Sequence, residues 1–254
     1  MSITIKSQTD LKKMREAGRI ARRACLLAGQ SLEPGMSTKD IDTIVHDYIV
    51  GEGAYPSFLG YAGFPGSACV SVNEEIIHGI PSPHRKIKAG DIVSIDVGAK
   101  LNGFHGDTCA TFPVGKITEE AQKLLEVTEA ALHEGIAKAV VGNRLEDVCG
   151  AVERYCASRG YGIVREYCGH GIGRELHESP EVPNYVQHGS RDMRIKLMPG
   201  MCICIEPMIN VKGDAIRQSK DGWTVRTKSG SLSAHFEHAI AITPNGPVIL
   251  TDPN

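Results

Sequence analysis

GDIVSIDVGAKLNGFHGDTCATF, residues 90–112, holds the strongest short hairpin signal in the chain, Asn102-Gly103 between two strand-like runs. A two-residue turn there pairs Leu101 with Phe104 and, counting back along both strands, Asp96 with Cys109. Asp107 is then a diagonal neighbour on the same face as Asp96, about 7 to 8 Å away. A β-bulge in the hairpin would shift that register. Carboxylates at this spacing reach toward ions about 3.5 to 4 Å apart in a two-metal site. Asp96 closes the apolar run IVSID, where an unpaired ionised carboxylate is costly to bury, so something must compensate it.

The same stretch has an echo further along. GDIVSID (90–96) parallels GMCICIE (200–206), setting Asp96 against Glu206, and HGD (105–107) parallels HFE (235–237), setting Asp107 against Glu237. At an offset of 107, Gly35, Asp40, Ile41, Val45, Tyr48 and Gly53 meet Gly142, Asp147, Val148, Val152, Tyr155 and Gly160. Apolar residues at helical spacing predict an amphipathic helix from about 8 to 30. Ser37 with Asp40 resembles a capping box opening a second helix to about 51. Further helices are expected at about 118–140 and 144–159, with strand-like runs at 68–78, 91–112, 162–168, 201–210 and 223–243. The layout is helix, helix, strands, twice. No Ser/Pro/Gly linker divides the halves, so the expectation is one catalytic domain, 1–254, built of two pseudo-symmetric halves of about 1–115 and 116–254.

Composition narrows the class. The chain has 254 residues, 41% hydrophobic and 23% charged, enough to bury a core without staples. A formal net charge of -2 gives no electrostatic reason to expect nucleic-acid or membrane binding, and Arg85 to Lys88 is the best candidate for a basic patch. The eight cysteines lack paired CxxC spacing and sit largely in apolar runs, so reduced, buried thiols are expected. The N-terminus, MSITIKSQTDLKKM, has no apolar signal region, and no stretch approaches the roughly 18 apolar residues of a membrane span. A cytoplasmic protein is expected.

Glu206 ends CICIE as Asp96 ends IVSID, and Glu237 sits in AHFEHAIAI. For any one strand acid, a salt bridge or a surface position is the ordinary explanation. Four at duplicated positions, without basic side chains at comparable positions, point instead to metal. GHGIGRELHESP (169–180) supplies His170 and His177 in a Gly-rich loop. His170 is either a structural loop histidine or the imidazole that completes an oxygen-rich set of the kind favouring Mn, Fe or Co over a thiolate zinc site.

At these residues the chain resembles the type I methionine aminopeptidases, members of the pita-bread metallohydrolases, over nearly its whole length. The motifs that carry the resemblance are NEEIIHGIP (73–81), DIVSIDVGAKLNGFHGDTCATF (91–112), GHGIGRELHESP, IEPMI (205–209) and TKSGSLSAHFEHAI (227–240). The fold it implies is α+β, a pseudo-two-fold curved antiparallel sheet with two helix pairs on its outer face. The family ligand order, Asp, Asp, His, Glu, Glu, falls on Asp96, Asp107, His170, Glu206 and Glu237, holding two divalent ions (Co, Mn, Fe or similar) bridged by Asp107 and Glu237. The resemblance makes Glu206 also the general base and has His177 meet the scissile carbonyl or its oxyanion. His78 resembles the family histidine that contacts the peptide nitrogen. By the same resemblance Tyr61, Phe64, Cys69 and Trp223 line a methionine pocket, slightly widened by Leu176 where the family often has an aromatic residue. Asn73, Glu74 and Ser233 resemble a monovalent-cation site.

The activity implied is removal of N-terminal methionine from nascent proteins and peptides whose second residue is small. The implied partner is the nascent chain, with ribosome association left open and a monomer as the default. X-Pro dipeptidases share the ligand order but usually carry an additional N-terminal domain, for which the chain has no room. Type II methionine aminopeptidases insert a helical subdomain that the stretch between Glu206 and Glu237 does not accommodate. A protein of this fold retained only as a binding module would have lost ligands, and all five are present in this chain.

Overall fold

A computed structural model describes residues 3–254. The first half runs α1 (Gln8–Gln30), α2 (Thr38–Gly51), β1 (Tyr55–Pro56), β2 (Ala68–Val72), β3 (Glu75–Ile77), β4 (Ile92–Leu101) and β5 (Phe104–Pro113). The second runs α3 (Glu119–Lys138), α4 (Leu145–Ala157), β6 (Gly162–Ile163), β7 (Gly169–Gly171), β8 (Glu178–Val182), β9 (Cys202–Ile205), β10 (Met208–Asn210), β11 (Ile216–Gln218), β12 (Val225–Thr227), β13 (Ser233–His235), β14 (Glu237–Thr243) and β15 (Gly246–Ile249). All four helices fall where the periodicity puts them. The run at 162–168 is a strand only at Gly162–Ile163, and β1, β7, β8, β11 and β15 lie outside every expected run. The buried β7 has only three residues, Gly169–Gly171, too few to show alternation, and the others are short segments of mostly half-exposed residues without the apolar alternation that marks a buried strand.

Residues matched by the 107 offset do matched jobs. Asp40 accepts the backbone N–H of Ser37 at the start of α2, and Asp147 accepts that of Arg144 at the start of α4, each at 2.7 Å. Both satisfy an N–H that the helix leaves without a partner. Gly35 and Gly142 both take φ +96°, a conformation that favours glycine.

The main sheet has nine strands in the order β1-β4-β5-β14-β9-β7-β8, with β2 also paired to β4 and β15 to β14. Its pairings are antiparallel. Asn102 and Gly103 both have positive φ, as the tight hairpin turn requires, and the β4–β5 ladder runs without a bulge from Leu101 opposite Phe104 to Ile92 opposite Pro113. Asp96 is therefore opposite Cys109, and Asp107, opposite Gly98, shares its face. Cys109 in turn lies opposite Glu237 on β14. On β2, Cys69 lies opposite Asp96. One row across four strands thus reads Cys69, Asp96, Cys109, Glu237.

The helices cover the other face. A Cβ on Gly106 would lie 2.3 Å from the Cα of Gly18, so α1 rests directly on β5 at that point. Because side chains alternate, Gly106 toward α1 turns Asp107 away from it. Buried residues of all four helices join those of the sheet in the main core, including Ile20, Ile41, Leu132 and Val148. Arg85 and Lys86 do not form a free basic patch; each lies 3.9 Å from an acid, Glu75 and Asp40 respectively. No helix among the described residues is long and apolar enough to cross a membrane.

Candidate metal centre

Four carboxylates converge on the face turned away from the helices. Asp96, Asp107, Glu206 and Glu237 line one cavity of about 220 Å³ together with His170. Asp107 and Glu237 are buried, while Asp96 and Glu206 are partly open to the cavity. β9 ends at Ile205, opposite His238, so Glu206 and Glu237 occupy the next positions along their two strands. Ligand atoms of Asp107, His170, Glu237 and Cys204 all lie within 4.8 Å of one another.

Among the described residues, neither Lys nor Arg forms an ion pair with any of the four acids. The basic groups that approach them are imidazoles: His170 Nε2 is 3.8 Å from Asp107 and 3.7 Å from Glu206, and His235 Nε2 is 3.6 Å from Glu206. Burial drives the carboxyl groups toward their neutral forms. It pushes Asp96 up to about 7 and Glu206 up to about 8. Asp107 and Glu237 are held well above the ordinary carboxylate range, by burial first and then by the neighbouring acids. Asp96 Oδ1, Asp107 Oδ1 and Glu237 Oε1 are buried without a hydrogen-bond partner. Orphaned carboxylate oxygens converging on one space fit divalent cations, which are hard acids that take oxygen ligands.

His170 is prepared for the same role. Its Nδ1 lies 2.9 Å from the carbonyl of Gly171 and donates to it, leaving Nε2 with a bare lone pair directed at the acids. Burial pushes its pKa down to about 3, so the imidazole is neutral. The loop histidine His177 stands at the rim, its ring 4.3 Å from that of His170, with Nδ1 2.7 Å from the hydroxyl of Tyr61. His78 takes a left-handed φ of 58° that a non-glycine residue seldom adopts, and its ring meets Tyr167 and Trp223 edge-on. Burial brings the His78 pKa down to about 4.

The rest of the cavity is apolar. Tyr61, Phe64, Cys69 and Trp223, all expected from the sequence, line it together with Phe58 and Leu176. Phe58, Phe64, Cys69 and Leu176 form one buried cluster. A cavity of 220 Å³ exceeds the roughly 150 Å³ that accommodates benzene, so an unbranched side chain fits beside the polar groups. Asn73, Glu74 and Ser233 come together elsewhere. Ser233 N donates to Asn73 O and Thr227 N to Glu74 O, each at 2.9 Å, and the Glu74 carboxylate pairs with Arg226.

Two members of the centre are not singled out by the sequence. Cys204 alternates with Glu206 in CICIE, which puts it on the acid face; His235 is the echo of His105 in the HFE and HGD motifs. Those signals exist, but neither residue stands out among eight cysteines and ten histidines.

A family model described as metallopeptidase family M24 matches residues 12–244. The chain belongs to metallopeptidase family M24. This M24 chain is 49% identical over 249 residues to the methionine aminopeptidase of Clostridium acetobutylicum, covering 98% of both chains. It is 48% identical to methionine aminopeptidase 1 of Bacillus subtilis, covering 98% of itself and 99% of that protein. The crystal structure of methionine aminopeptidase from Rickettsia prowazekii superposes on it with a TM-score of 0.95 at 38% identity, over 99% of this chain and 100% of that one. The curved α+β fold is that of the family, and the M24 chain is accordingly a hydrolase of the metallopeptidase class.

Proposed function

We propose that the chain removes N-terminal methionine from nascent proteins and peptides whose second residue is small, using two divalent ions held by Asp96, Asp107, His170, Glu206 and Glu237. The observation that carries this reading is the joining of two environments in one cavity: orphaned carboxylate oxygens at one end and an apolar aromatic pocket at the other. The methionine aminopeptidase names of the near full-length relatives support it.

Divalent ions in such a set lower the pKa of water and polarise a carbonyl oxygen. Asp96, Asp107, His170, Glu206 and Glu237 would hold them, Asp107 and Glu237 being the most deeply buried of the four acids. Glu206 takes the proton of the attacking water as general base. His177, held at Nδ1 by Tyr61, presents Nε2–H to the scissile carbonyl as negative charge develops there. His78, neutral and fixed between aromatic rings, faces the peptide nitrogen. Phe58, Phe64, Cys69, Leu176 and Trp223 receive the methionine side chain by dispersion and sulfur contacts. The rings of His78, His177 and Tyr61 crowd the space beside it, which favours a small second residue. Asn73, Glu74 and Ser233 are assigned to a monovalent cation held by backbone oxygens. The reaction is placed in the cytoplasm, on a monomer acting on chains as they leave the ribosome.

Metal-loaded protein should release Met from Met-Ala-Ser and leave Lys-Ala-Ser intact. No release with Co, Mn or Fe would sink the proposal. Cleavage governed by Pro in second position and indifferent to the first residue would replace it with an X-Pro peptidase.

A further inference from the structure

Among the buried imidazoles that the proposed reaction leaves without a task, His235 stands beside one of the four acids. His235 is 2% exposed, and its Nε2 has no hydrogen-bond partner although it lies 3.6 Å from Glu206 Oε2. A buried donor left unmade is costly, so an orphan of this kind calls for a function. The backbone of His235 is held tightly. Thr111 Oγ1 accepts from His235 N at 3.0 Å and donates to His235 O at 2.9 Å, and Cys109 Sγ donates to the same carbonyl at 3.5 Å. Ser94 meets the Thr111 hydroxyl at 2.8 Å, so both strands of the hairpin bearing Asp96 and Asp107 fix where this imidazole stands.

The Glu206 carboxylate sits between two imidazoles. Its Oε1 faces His170 Nε2 at 3.7 Å, and its Oε2 faces His235 Nε2. His170 donates from Nδ1 to Gly171 and so offers Glu206 only a lone pair. The opposite tautomer at His235 would offer an N–H. We propose that His235 is a positioning residue whose Nε2–H donates to Oε2 of Glu206, locking the carboxylate with Oε1 toward the space shared with His170. This rests on the reading of Glu206 as ligand and base. A separation of 3.6 Å shortens to a hydrogen bond by a small rotation of either side chain, as is common for catalytic contacts before substrate binds.

The tautomer can be read without metal or turnover. In metal-free protein labelled with nitrogen-15 at histidine, two-bond nitrogen–proton correlations should show His235, identified by its loss in His235→Gln, as the Nε2–H form. A bare Nε2 would overturn the proposal. In metal-loaded protein, His235→Leu should lower ion affinity or kcat by about 10- to 100-fold with KM nearly unchanged, the usual cost of losing a group that orients a metal ligand. His235→Gln, which keeps a donor, should recover most of the loss. Calorimetric titration should find two ions in both variants. Loss of one ion from both would make His235 a ligand and overturn its positioning role, as would wild-type behaviour of His235→Leu. Undiminished turnover of Glu206→Gln would overturn the underlying reading of Glu206, whereas the tautomer result tests His235 separately.

Discussion

The Tyr61 hydroxyl lies 2.7 Å from Nδ1 of His177, and this contact sets which nitrogen of His177 faces the cavity. A hydroxyl that donates to Nδ1 leaves the ring proton on Nε2. Tyr61→Phe should therefore keep both ions and lower kcat. A net hydrogen-bond contribution of about 0.5 to 1.5 kcal/mol corresponds to roughly 2- to 12-fold. His177→Ala should also keep the ions and lose more of kcat. Steady-state kinetics beside metal analysis checks both; equal loss of metal in either variant would refute a role for His177 at the scissile carbonyl.

The four acids should make the metal-free protein less stable as pH rises above neutrality. Their folded pKa values are raised, to about 7 for Asp96 and about 8 for Glu206, so between the unfolded carboxylate range and those values the folded state holds more protons. Stability then falls with increasing pH. Below pH 6.5 the buried histidines oppose this. His170 at about 3 and His78 at about 4 resist protonation in the fold, so stability rises with pH in that lower range. The two effects offset at acid pH, and only the carboxylates act from about 6.5 to 8. Thermal melts in chelator should show the melting temperature dropping across that upper window. Saturating Co or Mn should remove the drop, because the ions replace the protons.

Glu237→Gln and Asp96→Asn should abolish turnover and weaken metal binding while raising the stability of the metal-free protein. Each removes one of the carboxyl groups whose mutual repulsion and burial oppose ionisation. Wild-type protein gains from bound ion about 2.7 kcal/mol at 100 times Kd for a single site, a gain the variants forfeit. Melts with and without metal test the crossing of the two curves. Variants that melt below wild type in chelator would mean that these acids support the fold by some other contact.

Much of this site is legible in the sequence because a local device sets its register. Asn102-Gly103 admits one tight turn, and from it Asp96, Cys109 and Asp107 follow by counting. Asp40 and Asp147 are equally legible, since a carboxylate three residues after an N-cap has one main use. The positions of Cys204 and His235 are not. Each reaches the centre through pairings between strands far apart in the chain, β9 with β14 and β13 with β10, which no local rule specifies. The short edge strand β15 escapes prediction because its residues are all half-buried and carry no alternation.

The acid face depends on a contact on the opposite side of the sheet, which Gly106→Ala should break. Gly106 lies between His105 and Asp107 on β5, and an added Cβ would come 2.3 Å from both Cα and N of Gly18 on α1. Those are backbone atoms and cannot rotate aside, and Gly18 is itself confined, since a Cβ there would lie 2.4 Å from the carbonyl oxygen of Leu250. Either α1 lifts from β5 or the strand bows toward the cavity. Overpacking of this kind costs about 1 to 3 kcal/mol. For a chain of this size each kcal/mol lowers the melting temperature by about 2 to 4 °C. If the strand bows, Asp107 moves with it, so metal affinity should fall together with stability although no ligand has changed. Calorimetric titration and thermal melts of the same variant separate the alternatives. A lower melting temperature with unchanged affinity would mean that the helix, not the strand, gives way.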